Sequence, residues 1–160
     1  MKYILKQVFS LILPITVLII VPLNIEQNFS IKNVPAFLIG ILFICLGLTL
    51  LVITVITFIK IGRGTLAPWS PTKKLITTGI YAHVRNPMIS GVLIILIGES
   101  VAFLSFPIFK WALIFFVINS IWFLVYEEPN LEKKFKDEYR DYKKNVRQWI
   151  PKFKPYKPIN

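Results

Sequence analysis

Residues 33–59 contain no charged side chain and are almost entirely apolar. A helix that crosses the hydrocarbon core of a bilayer needs about 20 such residues, so this segment is long enough to span a membrane. Three further segments resemble it: residues 7–25 carry no charge, residues 87–104 carry only Glu99, and residues 108–126 carry only Lys110. The sequence therefore predicts an all-α, polytopic membrane protein with about four transmembrane helices, the last two forming a C-terminal helical hairpin.

The composition agrees with this fold class and excludes others. Hydrophobic residues make up 55% of the chain and charged residues 17%, whereas soluble domains have about 45–50% and 25%. Intrinsic disorder requires low hydrophobicity, and a disulfide scaffold requires more than the single Cys45. The net charge of +11 could suit nucleic acid, but in so apolar a chain it favours anionic lipid head groups. We expect membrane lipids as partners and no nucleic acid.

The basic residues are distributed unevenly around the four segments. Of the 19 Lys and Arg residues, only Lys32 and Lys110 fall on one side, and all others lie before the first segment, between the second and third, or after the fourth. The positive-inside rule then places both termini and the middle loop in the cytoplasm, most simply of a prokaryotic cell. We expect one membrane domain over residues 1–160: two spans (1–60), a cytoplasmic loop (61–86), the hairpin (87–126), and a cytoplasmic amphipathic helix and tail (127–160).

The cytoplasmic loop is rich in Gly and Pro and holds the only histidine, His83. Long loops in compact domains tend to be functional. Asn86-Pro87 marks a helix start, because proline suits the first helical turn. Tyr81, His83 and Arg85 alternate, so an extended stretch would point all three to one side. These residues favour a site where the loop meets the membrane.

A second polar segment begins at Glu127 and Glu128, where the fourth segment ends. Two adjacent carboxylates at this depth are costly unless they are paired or hydrated. After Pro129 the spacing of apolar residues predicts an amphipathic helix. Its apolar stripe comprises Leu131, Phe135, Tyr139, Tyr142 and Val146. The helix either lies on anionic lipid or acts as a lid over a polar pocket, and the two interpretations are compatible.

The hairpin brings these two polar segments together, with Arg85 close to Glu127 and Glu128. Such a group of charges suits a zwitterionic or multiply charged ligand. We expect no metal site, because Cys45 lies inside a span and His83 is alone. Glu99 lies deeper in the membrane, and we expect it to have a structural role through a hydrogen bond to Asn119 or Ser120.

Two sequence blocks resemble a known family. Residues 79–91 read Gly-Ile-Tyr-Ala-His-Val-Arg-Asn-Pro-Met-Ile-Ser-Gly, and the second block begins Glu-Glu-Pro-Asn-Leu at position 127. In this order, separated by one hairpin, they resemble the membrane-embedded methyltransferases related to isoprenylcysteine carboxyl methyltransferase and the phospholipid N-methyltransferases. Three positions depart from the commoner family residues: Asn86 replaces His, Ile89 replaces Tyr, and Lys136 replaces Gly.

The resemblance implies methyl transfer from S-adenosylmethionine to a lipophilic or small membrane-accessible acceptor, with the cofactor bound at the cytoplasmic surface. It implies Arg85 and Glu128 as catalytic residues. The implied cofactor-binding residues are Leu75, Ile76, Tyr81, His83, Asn86, Pro87, Met88, Ile89 and Glu127. A carboxylate of the Glu127–Glu128 pair suits the cofactor's ammonium, and Arg85 suits its carboxylate or a neighbouring Glu.

Two other functions stay open at this point. One is an NADPH-dependent membrane reductase of sterol-reductase type, in which Arg63, Lys73 and Lys74 would bind the 2′-phosphate. The other is a non-catalytic, lipid-binding membrane module that uses the basic amphipathic helix. Titration with both cofactors distinguishes the three.

Overall fold

The computed structural model describes residues 12–62 and 74–158, and its regular structure in these ranges is entirely helical. The predicted all-α fold class is therefore confirmed. The start of the first expected span, together with Arg63 and Lys73, lies outside the described residues. The helices are α1 (Ile12–Ile25), α2 (Val34–Gly62), α3 (Pro87–Ala102), α4 (Phe106–Trp122) and α5 (Glu128–Asn145), with a short 3₁₀-helix at Gly79–Ala82.

Within residues 12–62 and 74–158, two helical stretches are long and apolar enough to cross a membrane. One is Val34–Thr57 in α2, and the other is the apolar part of the continuous run Phe106–Asn145, in which α4 passes into α5. Many of their large apolar side chains are exposed, among them Leu38 at 62% and Val125 at 69%, as expected for lipid-facing surfaces. Helices α1 and α3 are apolar but shorter, so crossing by all four segments stays a prediction.

Glycines bring the backbones of α2 and α3 into direct contact. A Cβ atom at Gly40 would lie 2.5 Å from the backbone nitrogen of Ala102, and one at Gly98 would lie 2.8 Å from the carbonyl oxygen of Gly40. Two turns away, a Cβ at Gly47 would lie 2.8 Å from the carbonyl oxygen of Gly91. Small residues permit such close helix packing in membranes. The contact fixes α3, and the polar loop before it, against the long helix α2.

The expected hairpin of α3 and α4 is confirmed, with a turn at residues 103–105. Leu104 adopts a φ of 46°, and the hydroxyl oxygen of Ser105 accepts the N–H of Ile108 at 3.3 Å, which caps α4. Pro107 lies in the first turn of α4, where its missing N–H has no helical partner to lose. The turn residues are thus Phe103 to Ser105.

The buried core lies between α1, α3 and α4. Its buried members are Val17, Val92, Leu96, Ala112 and Phe115. The indole N–H of Trp111 donates to the carbonyl oxygen of Val17 at 3.1 Å, so α1 is held to the hairpin by a polar contact as well as by packing.

The predicted hydrogen bond of Glu99 is wrong. Asn119 donates instead to the carbonyl oxygen of Phe115 at 2.8 Å, and among the described residues the buried Glu99 Oε2 and Ser120 Oγ have no hydrogen-bond partner. The reason is the antiparallel register. Glu99 lies near the end of α3, beside the start of α4, whereas Asn119 and Ser120 lie near the end of α4 at the opposite end of the hairpin.

Helix α5 begins directly after a π-helical turn at Phe123–Glu127, so the chain stays helical as it passes through Pro129. Lys136 interrupts α5 with a φ of 48° and a ψ of −122°, which kinks the helix. The predicted apolar stripe is confirmed, because Tyr139, Tyr142 and Val146 are buried. Leu75 of the loop and Tyr156 of the tail pack against them. This cover favours the lid interpretation of α5.

Candidate functional site

The loop before α3 turns at Gly79, whose φ of 62° is a left-handed value that glycine adopts without steric cost. The chain then forms the 3₁₀-helix Gly79–Ala82, and His83 follows it as a turn residue with a φ of −107° and a ψ of −35°. The prediction of an extended stretch is therefore wrong. Tyr81 and Arg85 nevertheless reach one common cleft, because the 3₁₀ turn and the entry into α3 bring them there by another path.

The tail after α5 holds this loop through its backbone. The N–H groups of Arg85 and Asn86 donate to the carbonyl oxygens of Arg147 (2.9 Å) and Gln148 (3.2 Å). Further along, the N–H of Lys152 donates to the carbonyl of His83 at 3.0 Å. The loop is thus paired with a distant part of the chain rather than stabilised by its own secondary structure.

A cleft lies between the loop, the π-helical turn Phe123–Glu127 and helix α5. It is lined by Leu75, Ile76, Tyr81, Arg85, Phe123, Glu127, Leu131, Tyr139 and Tyr142. The predicted proximity of Arg85 to Glu127 and Glu128 is confirmed. The walls are mainly apolar and aromatic, with one arginine and one carboxylate facing the same space. Such a combination fixes the orientation of a ligand through a few polar groups.

Arg85 is held in place by a buried charge network. Its Nη1 donates to Glu128 Oε1 and lies 3.3 Å from the hydroxyl of Tyr139. The other oxygen of Glu128 lies 2.7 Å from Lys143 Nζ. The side chain of Glu128 is only 3% exposed, and each of its two oxygens is paired with a cation. The Nε of Arg85 is buried and has no hydrogen-bond partner among the described residues.

Glu127 differs from its neighbour, because it faces the cleft and is exposed. Among the described residues it makes no ion pair. It lies one residue beyond the apolar stretch that ends at Tyr126. Although part of the residue is open to solvent, surrounding protein atoms displace water from its carboxylate. This desolvation, together with the charge of Glu128, raises the pKa of Glu127 above the ordinary 4.5. A cationic ligand group in the cleft would relieve both effects.

The tyrosines of the cleft are neutral hydrogen-bonding groups. The hydroxyl of Tyr142 donates to the carbonyl oxygen of Tyr81 at 2.6 Å, which links the lid helix to the loop. Burial raises the pKa of Tyr81 and of Tyr142, and burial with the nearby Glu128 raises the pKa of Tyr139 to about 12. All three keep their protons at neutral pH, so none is prepared to act as a base.

Several residues implied by the resemblance lie outside this lining. His83 Nδ1 lies 2.6 Å from the carbonyl oxygen of Lys152, so its ring engages the tail. Asn86 is the residue directly before α3, and its side chain makes no capping hydrogen bond. Pro87 is buried in the first turn, and Ile89 packs on the core. Met88 is half-buried at the same helix start. Their roles in cofactor binding stay predictions.

The family model described as phospholipid methyltransferase matches residues 35–138, well over half of the chain. This protein belongs to the phospholipid methyltransferase family. The match begins in α2 and ends in the first half of α5, so it includes Tyr81, Arg85 and Glu127. No curated protein and no solved structure matches the chain.

The family assignment makes this chain a member of a methyltransferase family and supports an enzyme. It agrees with the predicted resemblance. Among the described residues, no group of His, Cys, Asp and Glu side chains could hold a metal ion.

Sequence reasoning missed Phe123 and Lys143. The Phe123 ring lies 5.9 Å from the guanidinium carbon of Arg85, but nothing distinguished it from the other apolar residues of α4. Lys143 was counted among the basic residues of α5, and only the fold brings it to Glu128. Tyr139 and Tyr142 were predicted as parts of an apolar stripe, and their hydroxyls add the polar contacts to Arg85 and Tyr81.

Proposed function

We propose that this protein is an integral-membrane methyltransferase that takes its methyl group from S-adenosylmethionine and transfers it to a lipophilic or small membrane-accessible acceptor. One observation carries the proposal. A single cleft, lined mostly by residues inside the family match, combines the carboxylate of Glu127, which has no ion-pair partner among the described residues, with the oriented guanidinium of Arg85 and aromatic walls. The orientation with the cleft in the cytoplasm follows from the distribution of basic residues.

The chemistry of the cleft fits this cofactor, which carries an ammonium, a carboxylate, a sulfonium and an adenosine. When bound, it supplies an activated methyl group. Glu127 offers a carboxylate whose raised pKa shows that its charged form is destabilised in the cleft, and a cationic ligand group would stabilise that form. Arg85 offers a buried Nε–H that has no hydrogen-bond partner within the described ranges, which suits a carboxylate. Tyr81 and Phe123 offer aromatic faces for the adenosine or the sulfonium.

The residues behind the cleft have positioning roles in this proposal. Glu128 is almost fully buried and shared between Arg85 and Lys143, so it orients the arginine rather than contacting a ligand. Tyr142 holds the backbone of Tyr81. Methyl transfer needs mainly alignment of two partners, and such alignment can lower a barrier by several kcal/mol, up to about 7–11. A rigid support for the cleft serves that purpose.

A second, apolar groove supports a lipophilic acceptor. It lies on the exterior of the α4 end and is lined by Ile118, Ile121, Trp122, Val125 and Tyr126. Phe123, in the same helical turns, lines the cofactor cleft. An acceptor with an apolar tail could therefore lie along α4 while its head group reaches the cleft. No observation favours the reductase interpretation: Lys74 is exposed and does not line the cleft.

Binding of S-adenosylmethionine to the purified protein in detergent tests the cofactor assignment. We expect Glu127→Gln to weaken binding about tenfold or more, because a charge-assisted hydrogen bond contributes about 1.5–3 kcal/mol. Glu132→Gln is the matched control: it lies on the same helix, pairs with the exposed Arg140, and does not line the cleft. Unchanged binding in Glu127→Gln, or binding of NADPH instead, would contradict the proposal.

Methyl transfer tests the activity itself. Radiolabelled S-adenosylmethionine is supplied to vesicles containing the protein and a panel of lipid and small-molecule acceptors, and the labelled product is identified by mass. We expect label in an apolar product with the natural chain and much less with Glu127→Gln.

A further inference from the structure

The tail after α5 presents apolar side chains among basic ones. Phe153 is fully exposed and Ile150 is 62% exposed. Lys152 and Lys154 flank Phe153, and no acidic residue follows Asp141 in the sequence. The tail is thus a purely cationic segment with large apolar side chains at its surface, a combination typical of segments that bind at an anionic membrane interface.

The exposed bend is held in its conformation. The N–H groups of Lys152 and Tyr156, on either side of it, donate to the carbonyl oxygens of His83 (3.0 Å) and Ala82 (2.9 Å). The hydroxyl of Tyr156 also donates to Asp141 Oδ2 at 2.6 Å. Because both ends of the bend are fixed, Phe153 is presented to its surroundings without the ordering cost that a free tail would have.

The position of the tail places this surface beside the bilayer. Trp149 packs on Phe116, with ring centroids 5.2 Å apart. Phe116 belongs to the apolar exterior of α4. The backbone N–H groups directly before the apolar helix α3 donate to the carbonyl oxygens of Arg147 and Gln148, which precede Trp149. The adjoining Ile150 and Phe153 therefore lie close to the end of the hairpin where its apolar helices reach the membrane surface.

We propose that this tail surface, formed by Trp149, Ile150, Lys152, Phe153 and Lys154, docks on an anionic lipid head-group layer. The aromatic and aliphatic side chains enter the interface, and the lysines contact the anionic head groups. The tail also pairs with the loop that carries Tyr81 and Arg85, so the docked tail connects the membrane surface to the cleft. The proposal depends on the tail's own geometry and stands whether or not the cleft binds S-adenosylmethionine.

Fluorescence quenching in vesicles tests the docking. The full chain carries an environment-sensitive label at Phe153→Cys in a Cys45→Ala background, which removes the only native cysteine. The matched control carries the label at Asp137→Cys, where the side chain is 94% exposed on α5. Both proteins are reconstituted into phosphatidylcholine vesicles with and without phosphatidylglycerol, together with lipids that bear a nitroxide quencher.

We expect strong quenching at position 153 in the vesicles with phosphatidylglycerol, weaker quenching without it, and little at position 137. Added Lys154→Gln should lower the docking equilibrium constant about fivefold at low salt, since one lysine near an anionic surface contributes about 1 kcal/mol. The proposal is overturned if the label at position 153 stays in water in every vesicle. It is also overturned if quenching is equal with and without phosphatidylglycerol. A second label at Ile150→Cys must give the same answer, and circular dichroism verifies that each variant is folded.

Discussion

Lys136 combines a helical position with a backbone conformation that L-residues rarely adopt. Its φ of 48° and ψ of −122° lie inside α5, at the position where the resembling family commonly has glycine. A residue held in such a conformation stores about 1–3 kcal/mol of strain. Glycine adopts it freely but loses about 0.5–1 kcal/mol through its greater freedom in the unfolded chain. We therefore expect Lys136→Gly to stabilise the fold by about 1 kcal/mol.

Thermal unfolding in detergent, followed by circular dichroism, measures this effect. For a chain of this size we expect Tm to rise by about 2–4 °C. Two controls isolate the backbone conformation as the cause. Lys136→Ala removes the same charge but retains Cβ, so it should give no rise. Lys133→Gly, at an exposed and regular position of the same helix, should lower stability by about 1 kcal/mol. If Lys136→Gly destabilises the protein as much as Lys133→Gly does, the strain argument is refuted.

Three further predictions concern the buried ion pair, two glycines and the pH dependence of ligand binding. Glu128→Gln should cost about 3–5 kcal/mol of folding free energy, because it breaks a buried ion pair. Lys143→Gln should cost less than about 1 kcal/mol, because the Lys143 side chain is 41% exposed. Equal losses in thermal unfolding would contradict the burial argument. Gly40→Ala should destabilise by about 1–3 kcal/mol or more through backbone overlap, and Gly79→Ala, with open space around its Cβ position, by only about 1 kcal/mol; comparison of the two unfolding curves checks this. Because the pKa of Glu127 is raised, its carboxylate takes up a proton at pH values above 4.5, and the affinity for S-adenosylmethionine should fall as the pH is lowered through this range. Binding titrations at several pH values measure the effect. Glu127→Gln should show no such pH dependence.

The raised pKa of Glu127 also has a consequence for stability. Without ligand, the folded state binds this proton more readily than the unfolded chain does, so its ionisation opposes folding as pH rises through the window from 4.5 upward. Ligand binding should reverse the sign of this contribution, because a bound cation favours the ionised carboxylate. A thermal-shift series over pH, with and without S-adenosylmethionine, would show it.

Local signals in the sequence predicted the helices and the hairpin. Apolar stretches with no charge or a single charge predicted α2 and the apolar part of α4, because a run of this length and composition is typical of a helix that crosses a bilayer. Asn86-Pro87 predicted the start of α3 to the residue. Errors arose where neighbours distant in sequence decide the structure. Tyr81, His83 and Arg85 alternate as in a strand, but Tyr81 belongs to the 3₁₀-helix Gly79–Ala82 and His83 to a turn. Backbone groups of this stretch pair with the tail, which is distant in the sequence.

The two adjacent glutamates show the same division within the site. The sequence placed both beside Arg85 but could not distinguish them, because a spacing of one residue says nothing about which side chain is buried. In the structure Glu128 forms ion pairs with Arg85 and Lys143, whereas Glu127 lines the cleft. The sequence likewise predicted a partner for Glu99 on the wrong turns of α4, because the register of the hairpin depends on the turn at residues 103–105.

Sequence alone determined the helical membrane class, the family and the two polar blocks that meet, because hydrophobic length and motif order are properties of the chain itself. Only the tertiary structure decided that Glu128, rather than Glu127, is ion-paired within the part of the chain that the structure describes. It also decided that the stripe of α5 is covered by the loop and tail, and that the tail carries an exposed aromatic bend. Those outcomes depend on the burial and pairing of groups far apart in the chain, and the free energy of a charge or a tyrosine is set by the neighbours that folding brings to it.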